Sequence, residues 1–240
     1  MPRPLDEQPV VIFGGFLSVP TAYRSMRGQL AEMTGQTVRI VDAWTHDWIR
    51  STTRAGWARL LGKLERAVLE AVRHSATGKV TLVGHSAGGV MGRLYLSDRP
   101  FLGHIYRGTD YVDRLITLGS PHHNRSGGQI RRWVDEQYPG AYFAPQVQYV
   151  CVAGKRVQGR RDGSVGQRLA YRSYLRLSGA GDSWGDGLVP IESAILPGWH
   201  PIILEGVSHF SLSSVAWYGS AEVIPRWWDA SGVGEPAEVE

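Results

Sequence analysis

The chain has 240 residues with ordinary globular composition, 42% hydrophobic and 20% charged, which suits one domain with a full core and asks for no second one. Its net charge of +4 and pI near 9.3 come mainly from arginine, in clusters at Arg131-Arg132 and Lys155 to Arg161, without the interleaved aromatics or motif of a nucleic-acid surface. That balance points to a solvated basic face with modest attraction for anionic substrates or lipid headgroups, so that a lipid surface is an expected peripheral contact and nucleic acid is not.

Met1 to Gln8 carries prolines and charges where a signal peptide needs an apolar centre, and no apolar run is long enough to span a bilayer, so a cytoplasmic protein is expected. The first apolar run, Val10 to Phe13, leads into Gly14-Gly15-Phe16-Leu17. Further β-branched runs follow at Val38 to Val41, Val80 to Val83, Leu115 to Leu118, Val147 to Val152 and Ile202 to Leu204, each reading as a strand buried on both faces. Helical spacing lies between them, most clearly at Ala55 to Val72, where Trp57, Leu60, Leu61, Leu64, Val68, Leu69 and Val72 form one stripe. Alternating strands and helices predict a mostly parallel sheet of about six strands flanked by helices, with ligands at the carboxyl ends of the strands.

Two connections exceed a turn, His122 to Gln146 and Lys155 to about Ser183. The first should hold a short helix, Gly128 to Gln137, with Ile130, Trp133 and Val134 on one face. The second, rich in arginine and glycine, is expected to be the mobile stretch, and the two together an apolar cap beside a basic flap. Ser211 to Trp228 reads as a closing helix ended near Pro225, and Ser231 to Glu240 as a disordered acidic tail. The single cysteine, Cys151, lies in an apolar run and is expected in the core.

The chemistry centres on Gly84-His85-Ser86-Ala87-Gly88, placed between a predicted strand and a helical run from Val90 to Leu96. A serine there is forced into a strained turn that lifts its hydroxyl above the sheet edge, while the Ala87 amide at the helix start faces a developing oxyanion. The nucleophile needs a base, and His209 follows a late strand and a short loop. His85, beside the serine, is expected to pack or hydrogen-bond within the turn. The base needs a carboxylate to fix its tautomer, and Asp186 in Gly185-Asp-Gly-Leu-Val-Pro190 is the leading candidate, with Asp182 its rival. A second oxyanion donor should come from the loop after the first strand, with the Phe16 amide first and Gly15 second.

In that order, Phe13-Gly-Gly-Phe-Leu, Gly84-His-Ser-Ala-Gly-Gly, Leu118-Gly-Ser-Pro-His122, Gly185-Asp-Gly-Leu-Val-Pro and Gly206-Val-Ser-His209 resemble the α/β-hydrolase superfamily. The likeness is to its lipase-like branch, which includes triacylglycerol lipases and GPI inositol-deacylase-like esterases, and it covers about residues 9 to 228. The resemblance implies a compact α/β-hydrolase fold over residues 1–230, with lid-like insertions at 122–146 and 155–183 after the family's sixth and seventh strands. It implies a carboxylic ester hydrolase with Ser86, Asp186 and His209 as triad, the Phe16 and Ala87 amides as oxyanion hole, and no metal or organic cofactor. Gly15, Leu17, His85, His122 and Trp44 are the expected substrate contacts, with Trp48, Trp133 and Tyr142 also on segments that could line or cover an acyl pocket, and Ser120 to His122 shaping its floor. One departure stands out: many relatives begin the first loop with His-Gly, whereas this chain has Gly14-Gly15, so the brace supplied by that histidine must be replaced or absent. An acyltransferase or thioesterase could use the same triad, and a non-catalytic binding protein could share the fold.

Overall fold

A computed structural model describes residues 8–125, 128–199, 201–211 and 215–232. Within them a six-stranded sheet runs in the order β2-β1-β3-β4-β5-β8, formed by Val10–Phe13 (β1), Val38–Ile40 (β2), Val80–His85 (β3), Val112–Leu118 (β4), Gln148–Lys155 (β5) and Pro201–Glu205 (β8). β1 pairs in parallel with β2 and β3, and β5 with β8. A separate antiparallel pair joins Val157–Gln158 (β6) to Trp184–Gly185 (β7). All six apolar runs in the sequence are strands of the main sheet. The reason is visible in β1 and β3, whose residues are buried throughout, so a continuous β-branched run is what these positions require.

The chain divides into two compact units, Met1–Ile116 with Tyr142–Tyr149 and Thr117–Ala141 with Val150–Glu240. In the first, Arg24–Thr34 (α1), Thr45–Ile49 (α2), Arg54–Val72 (α3) and Ala87–Tyr95 (α4) accompany the strands. The expected stripe of α3 is buried at Trp57, Leu60, Leu61, Leu64 and Val68, but Leu69 is exposed and Ala71 takes the last core position. The Thr53 hydroxyl starts this helix by accepting from the Gly56 amide at 3.1 Å, which satisfies one of its orphan donors. Trp48, a candidate for the acyl pocket, is instead a core residue, its ring 5.6 Å from that of Phe13.

The second unit departs from the sequence reading in two places. Residues 155–183 are not irregular: they supply β6 and a thirteen-residue helix, Val165–Leu177 (α6). Ser164 and Gln167 close a reciprocal capping box at its start, and Ala170 and Tyr174 anchor it, the Tyr174 hydroxyl donating to the Val157 carbonyl at 3.1 Å. Ser211 to Trp228 is likewise not one helix, for the helical part among the described residues is only Ile224–Trp228 (α8). Pro225 sits in its first turn, where a missing amide costs nothing, so proline here begins the helix rather than ending it. The remaining helices are Gln129–Gln137 (α5), as expected from residue 128 onward, and Ile191–Ala194 (α7). Residues 233–240 of the acidic tail and all but the last residue of Met1 to Gln8 lie outside the described residues. No helix among the described residues is long and apolar enough to cross a membrane.

Candidate active site

In the first unit, β3 runs into α4 through Ser86, whose φ of 53° and ψ of −121° are positive-φ values that an L-residue adopts only under strain. The turn is held by close approach on both flanks. A Cβ on Gly84 would come within 2.6 Å of the Gly89 backbone, and one on Gly88 within 2.5 Å of the Phe13 and Gly14 carbonyl oxygens. Any side chain at these two positions would push the elbow apart, which is the physical content of glycine on either side of the serine. The Ala87 amide is the first of α4, beyond the reach of the helix's own hydrogen bonds.

The loop after β1 lies directly against the serine: a Cβ on Gly15 would stand 2.8 Å from the Ser86 Cβ. Its brace is a tyrosine. The Tyr23 hydroxyl accepts from the Gly15 amide at 2.9 Å and pairs with His85 Nδ1 at 2.8 Å, while the Ser18 hydroxyl donates to the Gly15 carbonyl at 2.7 Å. Burial pushes the Tyr23 hydroxyl above its usual pKa against the lowering effect of Ser18 and Gly15, so it stays a neutral hydrogen-bonding group. Tyr23 and His85 thus brace the Gly14-Gly15 loop from outside it. Neither the Phe16 nor the Ala87 amide has a partner among the described residues. Phe16, Leu17 and Trp44 are each 42–47% exposed, and the Thr45 hydroxyl next to Trp44 reaches the Leu17 carbonyl at 3.3 Å.

In the second unit, His209 and Asp186 are paired, Nδ1 to Oδ2 at 2.7 Å, with the His209 amide also donating to the Asp186 carbonyl at 3.0 Å. Both side chains are buried. An ionised carboxylate only accepts, so Nδ1 carries the proton and Nε2 is the basic nitrogen. The other carboxylate oxygen accepts from the Val189 amide at 2.7 Å and the Leu188 amide at 3.0 Å. Burial alone would raise the pKa of Asp186, but the facing His209 and these two amides outweigh it and hold the carboxyl below the ordinary 3.8. Asp182, the rival acid, is exposed. His122 is buried, its Nε2 3.1 Å from the Thr117 hydroxyl and its amide donating to the Ser193 carbonyl at 2.8 Å, contacts that tie the end of β4 to α7.

Two residues absent from the sequence reading emerge here, Tyr23 and Tyr218. The Tyr218 hydroxyl donates to Asp186 Oδ2 at 2.8 Å and accepts from the Gly154 amide at 2.7 Å. Room for it comes from Gly119 and Gly154, where a Cβ would meet Asp186 Oδ2 at 2.6 Å and Asp186 Cβ at 2.9 Å respectively. A glycine inside an otherwise β-branched strand signals such a close approach, and Gly154 in β5 carried that signal.

No family model matches the sequence, and none of the curated proteins matches it. Among solved structures, the chain is similar to a pyrethroid hydrolase from Sphingobium faniae JZ-2, at 20% identity and TM-score 0.34 over 50% of this chain and 42% of that one. It is similar to a lipase-esterase related protein from Clostridium acetobutylicum, at 13% identity and TM-score 0.32 over 51% and 46% of the two chains. A Xanthomonas campestris protein assigned to the α/β hydrolase superfamily is matched over 94% of this chain and 96% of its own, at 15% identity and TM-score 0.45. The matched part spans less than half the length of the first two. A mostly parallel six-stranded sheet flanked by helices, with Ser86 strained on the turn from β3 into α4, is the α/β-hydrolase fold.

Proposed function

We propose that the chain is a carboxylic ester hydrolase in which Ser86 is the nucleophile, His209 the general base and Asp186 the group that orients and charges it. The observation that carries this reading is Ser86 itself, a serine kept at positive φ at the start of a helix and packed against a glycine loop. Strain of that kind persists only where the surrounding structure overrides it, and a function explains why it is kept. The Asp186–His209 pair supports the reading independently, since it leaves Nε2 as the basic ring nitrogen.

In this mechanism His209 takes the Ser86 proton as Oγ adds to the ester carbonyl, and the Phe16 and Ala87 amides receive the oxyanion. The imidazolium gives its proton to the departing alcohol, and water then releases the acid by the same route in reverse. The exposed Phe16, Leu17 and Trp44 beside the loop suit an apolar acyl or alcohol group. Steady-state hydrolysis of a short soluble ester tests the proposal. Ser86→Ala should lower kcat by roughly 10⁴ to 10⁶ with the fold intact. Asp186→Asn should cost orders of magnitude at neutral pH while Asp182→Asn costs little. A Ser86→Ala variant that still hydrolyses the ester at a comparable rate would overturn it.

A further inference from the structure

The carboxylate of Asp186 has an unusual arrangement. One oxygen, Oδ2, accepts two side-chain donors at once, His209 Nδ1 at 2.7 Å and the Tyr218 hydroxyl at 2.8 Å. The direction of the second bond is fixed by what lies behind it. The Gly154 amide can only donate and does so to the Tyr218 oxygen at 2.7 Å, which leaves the single tyrosine proton for the carboxylate. Backbone thus polarises the phenol, and the phenol loads the oxygen that faces the histidine. The site is shaped for this: Gly119 sits at φ 54°, and a Cβ there would stand 2.7 Å from the Tyr218 oxygen, while one on Gly154 would strike the Val207 carbonyl. Tyr218 is fully buried and also places its ring edge-on to the imidazole, 6.5 Å between centroids.

We propose that Tyr218 is a positioning residue, whose hydroxyl draws charge from Asp186 Oδ2 and so governs how firmly that oxygen holds the His209 ring. The inference deepens the hydrolase reading and rests on it for its kinetic readout. A carboxylate oxygen that shares its charge with a second donor holds an imidazolium less tightly, so the bond to Tyr218 loosens the grip of Asp186 on a protonated ring. Among the described residues of this unit, Tyr174, whose hydroxyl accepts from the Gly187 amide at 2.9 Å, also stands near Asp186, with Glu192 near Tyr174. Neither is hydrogen-bonded to the Asp186 carboxylate. Burial and the facing carboxylate keep Tyr218 protonated well above its ordinary range, so the phenol remains a donor wherever an esterase would be assayed.

The test is Tyr218→Phe in the full chain, read two ways. The NMR resonance of the His209 Nδ1 proton should rise in ppm as its bond to Asp186 tightens, and the acid limb of kcat/KM against pH should move up by about 0.5–1 unit. Replacing the ring of Tyr218 with that of 3,5-difluorotyrosine, a stronger donor of the same shape, should move both readouts down, which keeps the test decisive if the phenylalanine variant folds poorly. A loss of activity with neither readout displaced, in the difluorotyrosine protein or in a folded Tyr218→Phe, would reduce Tyr218 to a packing residue and overturn the inference. The parent reading fails separately: if Ser86→Ala retains hydrolysis, the hydrolase proposal falls whatever the His209 resonance shows.

Discussion

One hydroxyl ties the first loop to the turn at the strained serine. Tyr23 accepts the Gly15 amide and meets His85, the residue next to the strained serine, so one side chain ties the loop to the elbow. Tyr23→Phe would leave the Gly15 amide without its acceptor at a cost of about 1–3 kcal/mol in stability. Because the same loop offers the Phe16 amide, the variant should also lose about tenfold in kcat on a short ester with a smaller change in KM, a split that steady-state kinetics can read. An unchanged kcat would show that the brace serves folding alone. Tyr23 and Tyr218 were invisible in the sequence for the same reason. A tyrosine's ring and polar tip suit a core position and a hydrogen-bonded site equally, and only tertiary contact says which hydroxyl meets which carboxylate or amide. The tight turn at Ser86 and the candidates Asp186 and His209, by contrast, could be picked out because each stands in a short motif, and the structure shows the strained turn and the Asp186–His209 bond. Asp186 is already favoured over Asp182 in the sequence because its Asp-Gly turn runs straight into Leu188-Val189-Pro190, and its carboxylate is the one hydrogen-bonded to His209.

At the scale of elements, the apolar runs marked the six strands of the main sheet, most plainly β1 and β3, where burial on both faces leaves no polar alternation to blur them, whereas β8, also expected to be buried on both faces, buries only Leu204. The sequence failed where a residue type has two structural meanings. Pro225 ends a helix when it follows one and begins one when it stands in the first turn, and the apolar residues around it do not say which. The stretch after β5 misled through its arginines and glycines, although Ser164 followed by Gln167 was a readable capping signature for α6. That helix gives a test of its order: Ser164→Ala removes an N-cap and should lower stability by about 1 kcal/mol, visible as a reduced denaturation midpoint, whereas a flexible flap would show no change. In α3, Leu64 is fully buried on the stripe, and Leu64→Ala should cost about 2–5 kcal/mol by cavity formation.

For the whole molecule, buried carboxylates set the response to acid. Asp47 is enclosed by Lys63 Nζ at 2.6 Å, Arg59 Nε at 2.9 Å and the Trp44 amide, contacts that outweigh the opposing effect of burial and hold it at about 2 against an ordinary 3.8. Asp186 is depressed in the same sense. A carboxylate with a lowered folded-state pKa stabilises the fold above its unfolded pKa and loses that contribution as pH falls through the folded value. Stability from these two groups should therefore be constant above about pH 5 and decline from about pH 4 toward 2, and the deficit of Asp47→Asn seen at pH 7 should narrow over that range. A deficit of equal size at pH 2 and pH 7 would show that the charge of Asp47 contributes nothing.

The central claim of the proposal is that Ser86 is a nucleophile whose reactivity depends on His209 and Asp186. The most direct measurement is the rate at which a fluorophosphonate modifies the native protein, with the adduct located by peptide mass. The account predicts one adduct, on Ser86, absent in Ser86→Ala and formed at least about a hundredfold more slowly in His209→Ala and Asp186→Asn, since an unassisted serine hydroxyl is a weak nucleophile. Labelling of Ser86 at an undiminished rate without His209, or no labelling of the folded wild-type chain, would contradict it.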